Sequence, residues 1–262
     1  MLNLKKSLGQ NLLIDKNILN KIAELSSING KVVFEVGPGT GNLTEIILKK
    51  KPKKLLLVEK DKRFCQILSK KLDLEKNFII YNEDILKFNF DKNINPDIVF
   101  GNLPYNISTQ ILAKFIKFNE WPPPFSKIIF MFQKEVADRI LAKPNTKKYG
   151  RISVLANFRL DIVDSFKISR KCFLPVPDVD SKIIIFSPKT KTNYYIKNIK
   201  NLEKITEILF SGRRKMINKA FSKIFKDYEK IANALGINLK KRPAELSCHD
   251  IYRITEYYEK NI

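Results

Sequence analysis

One histidine, one tryptophan and three cysteines among 262 residues narrow the available chemistry before any motif is read. His249 is the single histidine, so a histidine base or a histidine-rich metal site would rest on it alone. Placed beside Cys248 in a polar segment, it reads as a surface residue. Cys65, Cys172 and Cys248 are odd in number and widely scattered, which argues against a disulfide framework and against zinc spacing. No metal is expected. No uninterrupted apolar stretch approaches the roughly 20 residues of a membrane-spanning helix. The start, Met1 to Leu13, is broken by Lys5, Lys6, Gly9, Gln10 and Asn11 and does not read as a secretory signal. The expectation is a cytoplasmic protein with no membrane partner.

Acidic residues are also scarce: 27 against 49 basic ones, a formal charge of +22. Lysine outnumbers arginine 40 to 9, a bias that an A/T-rich genome would also produce, so the sum says less than its location. The 54 residues from Lys189 to Arg242 hold 15 basic and 4 acidic residues, or +11, half the excess in about a fifth of the chain. That concentration predicts a surface facing nucleic acid. At 44% hydrophobic, the chain can bury an ordinary core and is long enough for one large domain and one small one.

Asn102-Leu103-Pro104-Tyr105 follows the apolar run Pro96 to Gly101, and it suits chemistry on a planar exocyclic amine. The lone pair of such an amine is delocalised into its ring. It attacks poorly unless acceptors hold its hydrogens and draw the nitrogen toward tetrahedral geometry. The Asn102 carboxamide oxygen and a nearby carbonyl supply acceptors, Pro104 biases Leu103 toward an extended conformation, and Tyr105 offers a face for stacking. A polar turn at the end of a buried strand has the same four residues, which do not decide between the two. The upstream glycines do. Lys31 to Val36 reads as a buried strand, Gly37-Pro38-Gly39-Thr40-Gly41 as a turn, and Asn42 to Lys50 as a helix. A dinucleotide fingerprint needs glycine at position 42, which is Asn42. The G-x-G-x-G spacing, with Glu35 two positions before it, resembles the turn of S-adenosylmethionine-dependent methyltransferases. Glu59 ends a second strand 18 positions past Gly41, near the spacing at which an acidic residue meets ribose hydroxyls, and Asp84 ends a third. Gly37, Glu59, Asp84 and Asn102 would converge at the carboxyl ends of a parallel sheet.

Strands near 31–36, 54–59, 78–83, 97–101 and 127–132 alternate with helical patterns near 42–50, 61–72 and 108–118. This is the mark of an α/β, doubly wound, mostly parallel sheet. Gln133 to Ala142 is helical, Lys143 to Gly150 is a basic loop, and Arg151 to Phe158 is again helical. Two strands, 161–168 and 182–186, flank the stiff loop Phe173 to Ser181. Phe173 on that loop is placed either to cap the core or to stack on a base opposite Tyr105, and position alone favours the core. Past Pro188 the pattern is helical: 202–210, 213–225, 227–235 and 248–259. The reading is a catalytic domain over 1–190 and a small helical RNA-binding domain over 191–262.

These motifs together resemble the small-subunit ribosomal RNA adenine dimethyltransferases of the KsgA type, nearly end to end. They comprise Ser7-Leu8-Gly9-Gln10-Asn11-Leu12-Leu13, Glu35 to Gly41, Gly101 to Tyr105, Gln133 to Val136, Tyr149-Gly150-Arg151 and Phe173-x-Pro175-x-Pro177-x-Val179-x-Ser181. Leu209-Phe210-x-x-Arg213-Arg214-Lys215 and Arg242-Pro243-x-x-Leu246-Ser247 complete the set. Leu12 stands where that family usually has Phe. The resemblance implies a class I methyltransferase fold and transfer of methyl groups from S-adenosylmethionine, which leaves as S-adenosylhomocysteine. The target is N6 of two adjacent adenines in a loop near the 3′ end of small-subunit ribosomal RNA. It further implies an immature small ribosomal subunit as partner and a monomeric enzyme.

Carried over by motif, Asn11, Leu13, Gly37, Gly39, Gly41, Glu59, Asp84 and Asn102 would bind the cofactor. Asn102, Leu103, Pro104 and Tyr105 would line the target amine. Phe173 moves to the stacking role, and Arg213, Arg214 and Lys215 would contact RNA. The alternatives are erythromycin-resistance methylases of large-subunit RNA, which share the catalytic motifs, and a non-enzymatic assembly factor. The Arg213 to Lys215 and Arg242 to Ser247 segments fit the small-subunit family better, and intact Glu59, Asp84 and Asn102 argue against a vestigial site. DNA adenine methylases usually have proline at the position of Leu103.

Overall fold

Five runs dense in Val, Ile, Leu and Phe form the centre of the structure, because strands covered on both faces need no polar alternation. The computed structural model describes residues 11–90, 94–118 and 120–261; Ser7-Leu8-Gly9-Gln10 of the first motif lies outside them. The runs are β2 (Val32–Val36), β3 (Lys54–Val58), β4 (Phe78–Tyr81), β5 (Ile98–Asn102) and β6 (Lys127–Gln133). They are joined by α2 (Asn42–Lys49), α3 (Lys62–Lys71) and α4 (Ser108–Ile116), while β1 (Leu12–Leu13) and α1 (Lys16–Glu24) precede them. After α5 (Lys134–Ile140) and α6 (Arg151–Arg159) come β7 (Leu160–Ile168), β8 (Phe173–Leu174) and β9 (Ser181–Pro188). Four helices end the chain: α7 (Ile199–Phe210), α8 (Asn218–Ile224), α9 (Tyr228–Ala234) and α10 (Cys248–Lys260).

The main sheet has the order β4-β3-β2-β5-β6-β9-β7. Its first five strands run parallel, and β9 pairs antiparallel with β6. Strand order reverses between β2 and β5, so a crevice opens there beyond the carboxyl ends. The register aligns Val36 with Val58 and Gly101, and Val58 with Tyr81, so the loops that follow these strands leave the sheet level with one another. A two-stranded ladder pairs β1 antiparallel with β8, Leu13 opposite Phe173.

The sequence pattern did not show α1. It is only nine residues long and buries just Leu19, Ile22 and Ala23, too short a stripe to stand out. Its visible signal is Asp15, whose carboxylate accepts the Ile18 N–H at 3.0 Å as the N-cap. Those three residues join Ile47, Phe100, Met131 and Ile183 in the core.

Contacts divide the chain into two compact units, 1–137 with 162–188, and 138–161 with 189–262. The sequence reading began a helical domain at 191; the second unit resumes at Lys189 and also takes in Asp138–Asp161. The reason is burial: α6 hides Val154, Leu155 and Phe158, and the Tyr252 hydroxyl of α10 donates to the Val154 carbonyl at 2.8 Å. A helix expected over 213–225 starts only at Asn218. The preceding helix, α7, ends at Phe210 with Ser211 as its C-cap, the Lys215 N–H closes a turn on the Gly212 carbonyl at 2.8 Å, and the Ile217 N–H goes to Lys241 O. Arg213, Arg214 and Lys215 thus sit in a turn.

Gly41 caps α2 with φ of 83°, and a Cβ there would lie 2.8 Å from Leu68 Cδ2. Gly41→Ala should cost roughly 1–2 kcal/mol for the left-handed backbone alone, with the clash added. Urea unfolding of the two proteins would measure it; equal midpoints and slopes would show that the turn relaxes.

Candidate active site

The level strand ends surround a cavity of about 310 Å³. Gly37 and Gly39 enter it with φ of 66° and 58°, a conformation that costs a side-chain-bearing residue and leaves the backbone open to close approach. Their turn is held from the next strand: the Glu59 carboxylate accepts the Gly39 N–H at 3.1 Å and the Asp61 N–H at 2.8 Å. One side chain thereby ties the glycine turn to the end of β3 and still lines the cavity. Asp84, also on the wall, accepts Lys60 Nζ at 2.9 Å and the Leu86 N–H at 2.9 Å. Lys114 reaches from α4 to the carbonyls of Leu86 and Phe88, at 3.2 and 2.6 Å, which fixes the loop that carries Asp84.

Asn102, Leu103, Pro104 and Tyr105 all line the same cavity. The Asn102 amide nitrogen donates to the Asn11 carbonyl at 3.1 Å. That bond orients the carboxamide and leaves Oδ1 as an acceptor without a partner among the described residues. The Tyr105 hydroxyl bonds the fully buried Ser181 hydroxyl at 2.7 Å, so its ring is anchored at the far end. Gly101 must lack a side chain, because a Cβ would lie 2.7 Å from Leu103 Cδ2 and 3.1 Å from the Phe130 ring.

The N-terminal segment forms another wall. Asn11, Leu12 and Leu13 line the cavity; the Asn42 amide donates to the Leu13 carbonyl at 2.8 Å, and the Ile14 N–H to the Cys172 carbonyl at 2.9 Å. Leu12 packs over the glycine turn, its Cδ2 3.1 Å from where a Gly39 Cβ would stand. The smaller Leu12 fills this place.

A family model described as ribosomal RNA adenine dimethylase matches residues 1–260. The chain belongs to this family. Ribosomal RNA small subunit methyltransferase A of Pelagibacter ubique is 46% identical, the match covering 97% of each chain. The protein of that name from Mycoplasma mobile is 36% identical over 99% of each. Among solved structures, a dimethyladenosine transferase from Plasmodium falciparum superposes with a TM-score of 0.77 at 26% identity, over 95% of this chain and 98% of that one. The 23S ribosomal RNA methyltransferase ErmE shares the fold, with a TM-score of 0.67 at 23% identity over 95% and 99% of the chains. This dimethylase has the class I methyltransferase fold and is a methyltransferase.

Of the catalytic and cofactor-binding residues read from the sequence of this dimethylase, all but two line the cavity. Gly41 is absent from the wall; it turns the chain into α2. Phe173 is 1% exposed and packs with Leu13, Ile168, Met131 and Ile183. In this structure its ring lies in the core beside β1 and does not line the cavity, while Leu174 is exposed. Arg213, Arg214 and Lys215 lie in the second unit and are exposed. His249 is on the surface, its Nδ1 2.5 Å from the Tyr194 hydroxyl, and the three cysteines are free. No helix among the described residues is long and apolar enough to cross a membrane.

Sequence reasoning passed over Ser181, Lys60, Lys114, Asn42 and, as a wall residue, Glu35. Glu35 is buried at the cavity, and the Thr44 hydroxyl donates to it at 2.8 Å. Burial, with the nearby Glu59 charge adding to it, pushes its carboxyl up to about 7 against the bond from Thr44. Glu59 is raised as well, mainly by burial, whereas the Lys60 ammonium holds Asp84 below the usual carboxylate range.

A raised carboxyl stabilises the fold in its protonated form. Its contribution is complete below the unfolded value of 4.5 and is lost as pH rises through about 7. A shift of that size corresponds to about 3 kcal/mol. Glu35→Gln removes this component, so the variant should gain about that much relative to the parent between pH 4 and pH 8.5. Urea unfolding at the two pH values would show it, and an unchanged difference would mean that the Glu35 carboxyl titrates in the fold as it does in the unfolded chain.

Proposed function

We propose that this dimethylase transfers methyl groups from S-adenosylmethionine to N6 of two adjacent adenines in a loop near the 3′ end of small-subunit ribosomal RNA. It acts as a cytoplasmic monomer on immature small subunits. The observation that carries the reading is the meeting of Gly37, Gly39, Glu59, Asp84 and Asn102 at one cavity. The names of the Pelagibacter and Mycoplasma relatives support the small subunit as substrate.

The residues present fit the cofactor. Gly37 and Gly39 leave room for it, Glu59 is an acceptor for ribose hydroxyls, Asp84 for an adenine amine, and Glu35 and Glu59 are carboxylates suited to a cation. When bound, the sulfonium supplies an already activated methyl group. Asn102 Oδ1 accepts one N6 hydrogen of the target adenine and draws its nitrogen out of conjugation, the Leu103 carbonyl takes the other, and Tyr105 stacks on the ring. Such positioning needs no strong base, since a methylated ammonium is acidic enough to lose its proton to water or a carbonyl. The protein contributes alignment.

Asn102→Ala should leave cofactor affinity largely intact and slow transfer by something like 10²–10³, the effect of removing one preorganised polar group. Monomethyladenine keeps only one N6 hydrogen and must turn about its C6–N6 bond before the second transfer. The variant should therefore accumulate monomethyladenosine, read by mass spectrometry of nucleosides from treated small subunits. Dimethylation at the parental rate would refute the role given to Asn102.

Glu59→Ala should weaken cofactor binding by about 1.5–3 kcal/mol, the worth of hydrogen bonds to a charged acceptor, and should also loosen the Gly39 turn. Calorimetry on the folded variant tests the first effect. Parental affinity would exclude Glu59 from the cofactor site.

A further inference from the structure

Three basic segments far apart in sequence are fastened together in the second unit. The Arg213 guanidinium donates through Nη2 to the carbonyls of Lys147 at 2.9 Å and Tyr149 at 2.7 Å. The Asn145 N–H donates to the Ala244 carbonyl at 2.7 Å, and the Ile217 N–H to that of Lys241 at 2.9 Å. These bonds bring the 143–149 loop, the 212–217 turn and the 240–244 segment side by side. Lys143, Lys147, Arg214, Lys215, Lys240 and Lys241 are all exposed, and none has a carboxylate partner among the described residues. Lys148, by contrast, is taken by Asp138 at 2.7 Å.

We propose that these six cations form one platform for RNA phosphates, and that Arg213 is the clip that assembles it and not itself a phosphate contact. The inference rests on the RNA substrate proposed above and changes the role of Arg213 within it. A planar guanidinium spans two carbonyls through fixed N–H directions, which an ammonium does not reproduce. Neutral carbonyl acceptors leave the charge of the platform undiminished. Unpaired surface ammonium and guanidinium groups, held on a fixed backbone, suit a polyanion whose charges repeat along its chain.

The test measures binding of the full-length protein to unmethylated small ribosomal subunits as a function of salt. The pairs Lys143→Ala/Lys147→Ala, Arg214→Ala/Lys215→Ala and Lys240→Ala/Lys241→Ala should each lower the slope of log affinity against log salt by about 1.5. A control pair on α9 and its approach, Lys226→Ala/Lys230→Ala, should lower it by less than about 0.5. Arg213→Lys should match Arg213→Ala in lost affinity. Combining Arg213→Ala with the Lys143/Lys147 pair should cost less than the sum of the two, because the unclipped loop has already withdrawn its lysines. An Arg213→Lys protein that binds as the parent does, or strictly additive losses, would make Arg213 an ordinary phosphate contact. Equal slopes for the control pair and the three platform pairs would overturn the platform. Adenine methylation of the same particles is scored in parallel. Methylation with unchanged slopes defeats the platform alone, whereas absence of methylation by the parent defeats the substrate reading.

Discussion

The register of the parallel sheet is the constraint on which the rest depends. Because Val36, Val58, Tyr81 and Gly101 are level, four loops leave the sheet at one height and their side chains share one cavity. A slip of one residue in any strand would exchange the side chains of its two covered faces and would also carry Glu59 or Asn102 out of reach of the glycine turn. The Glu59 carboxylate then locks the arrangement by taking N–H groups from both Gly39 and Asp61. A site built this way needs little help from flexible loops.

Much of this was legible in the sequence because the cause is local. The parallel strands are near-continuous apolar runs, and the positions that follow them are the ones a ligand meets. What was not legible depends on tertiary pairing. Phe173 belongs to a motif from which the family resemblance implies stacking on a base, yet it pairs with β1 across a two-residue ladder and is buried in the core. Asp138–Asp161 follows the parallel strands in sequence, but α6 within it packs against α7 and α10, which begin 40 and 89 residues after α6 ends. Arg213 looked like its neighbours Arg214 and Lys215 until its hydrogen bonds placed it under the basic loop. Short α1 and the lone Ser181 carried too little pattern to announce themselves.

Charge is handled differently in the two units. In the first, Glu35 and Glu59 are buried at the cavity without a cationic partner among the described residues, and burial raises both carboxyls, an environment that favours a cationic occupant. In the second, the six cations of the proposed platform are exposed and have no carboxylate partner among the described residues. Net charge alone, inflated by lysine, would not have distinguished the two arrangements; only the placement of each group does.

Gly101 has a consequence for how such an enzyme can change over generations. The space a side chain would need is taken by Leu103 and the ring of Phe130, and that ring packs in turn on Phe115 and Phe132, with centroids 5.2 and 6.3 Å away. An alanine at 101 requires both Leu103, whose Cδ2 lies nearest, and the Phe130 ring to give way, and shrinking residue 130 opens a void among the aromatic rings. Substitutions behind the tetrapeptide are therefore epistatic, and their order decides which lineages survive. The tetrapeptide proposed above to meet the adenine is thus backed by the Phe130 ring, which does not itself line the cavity.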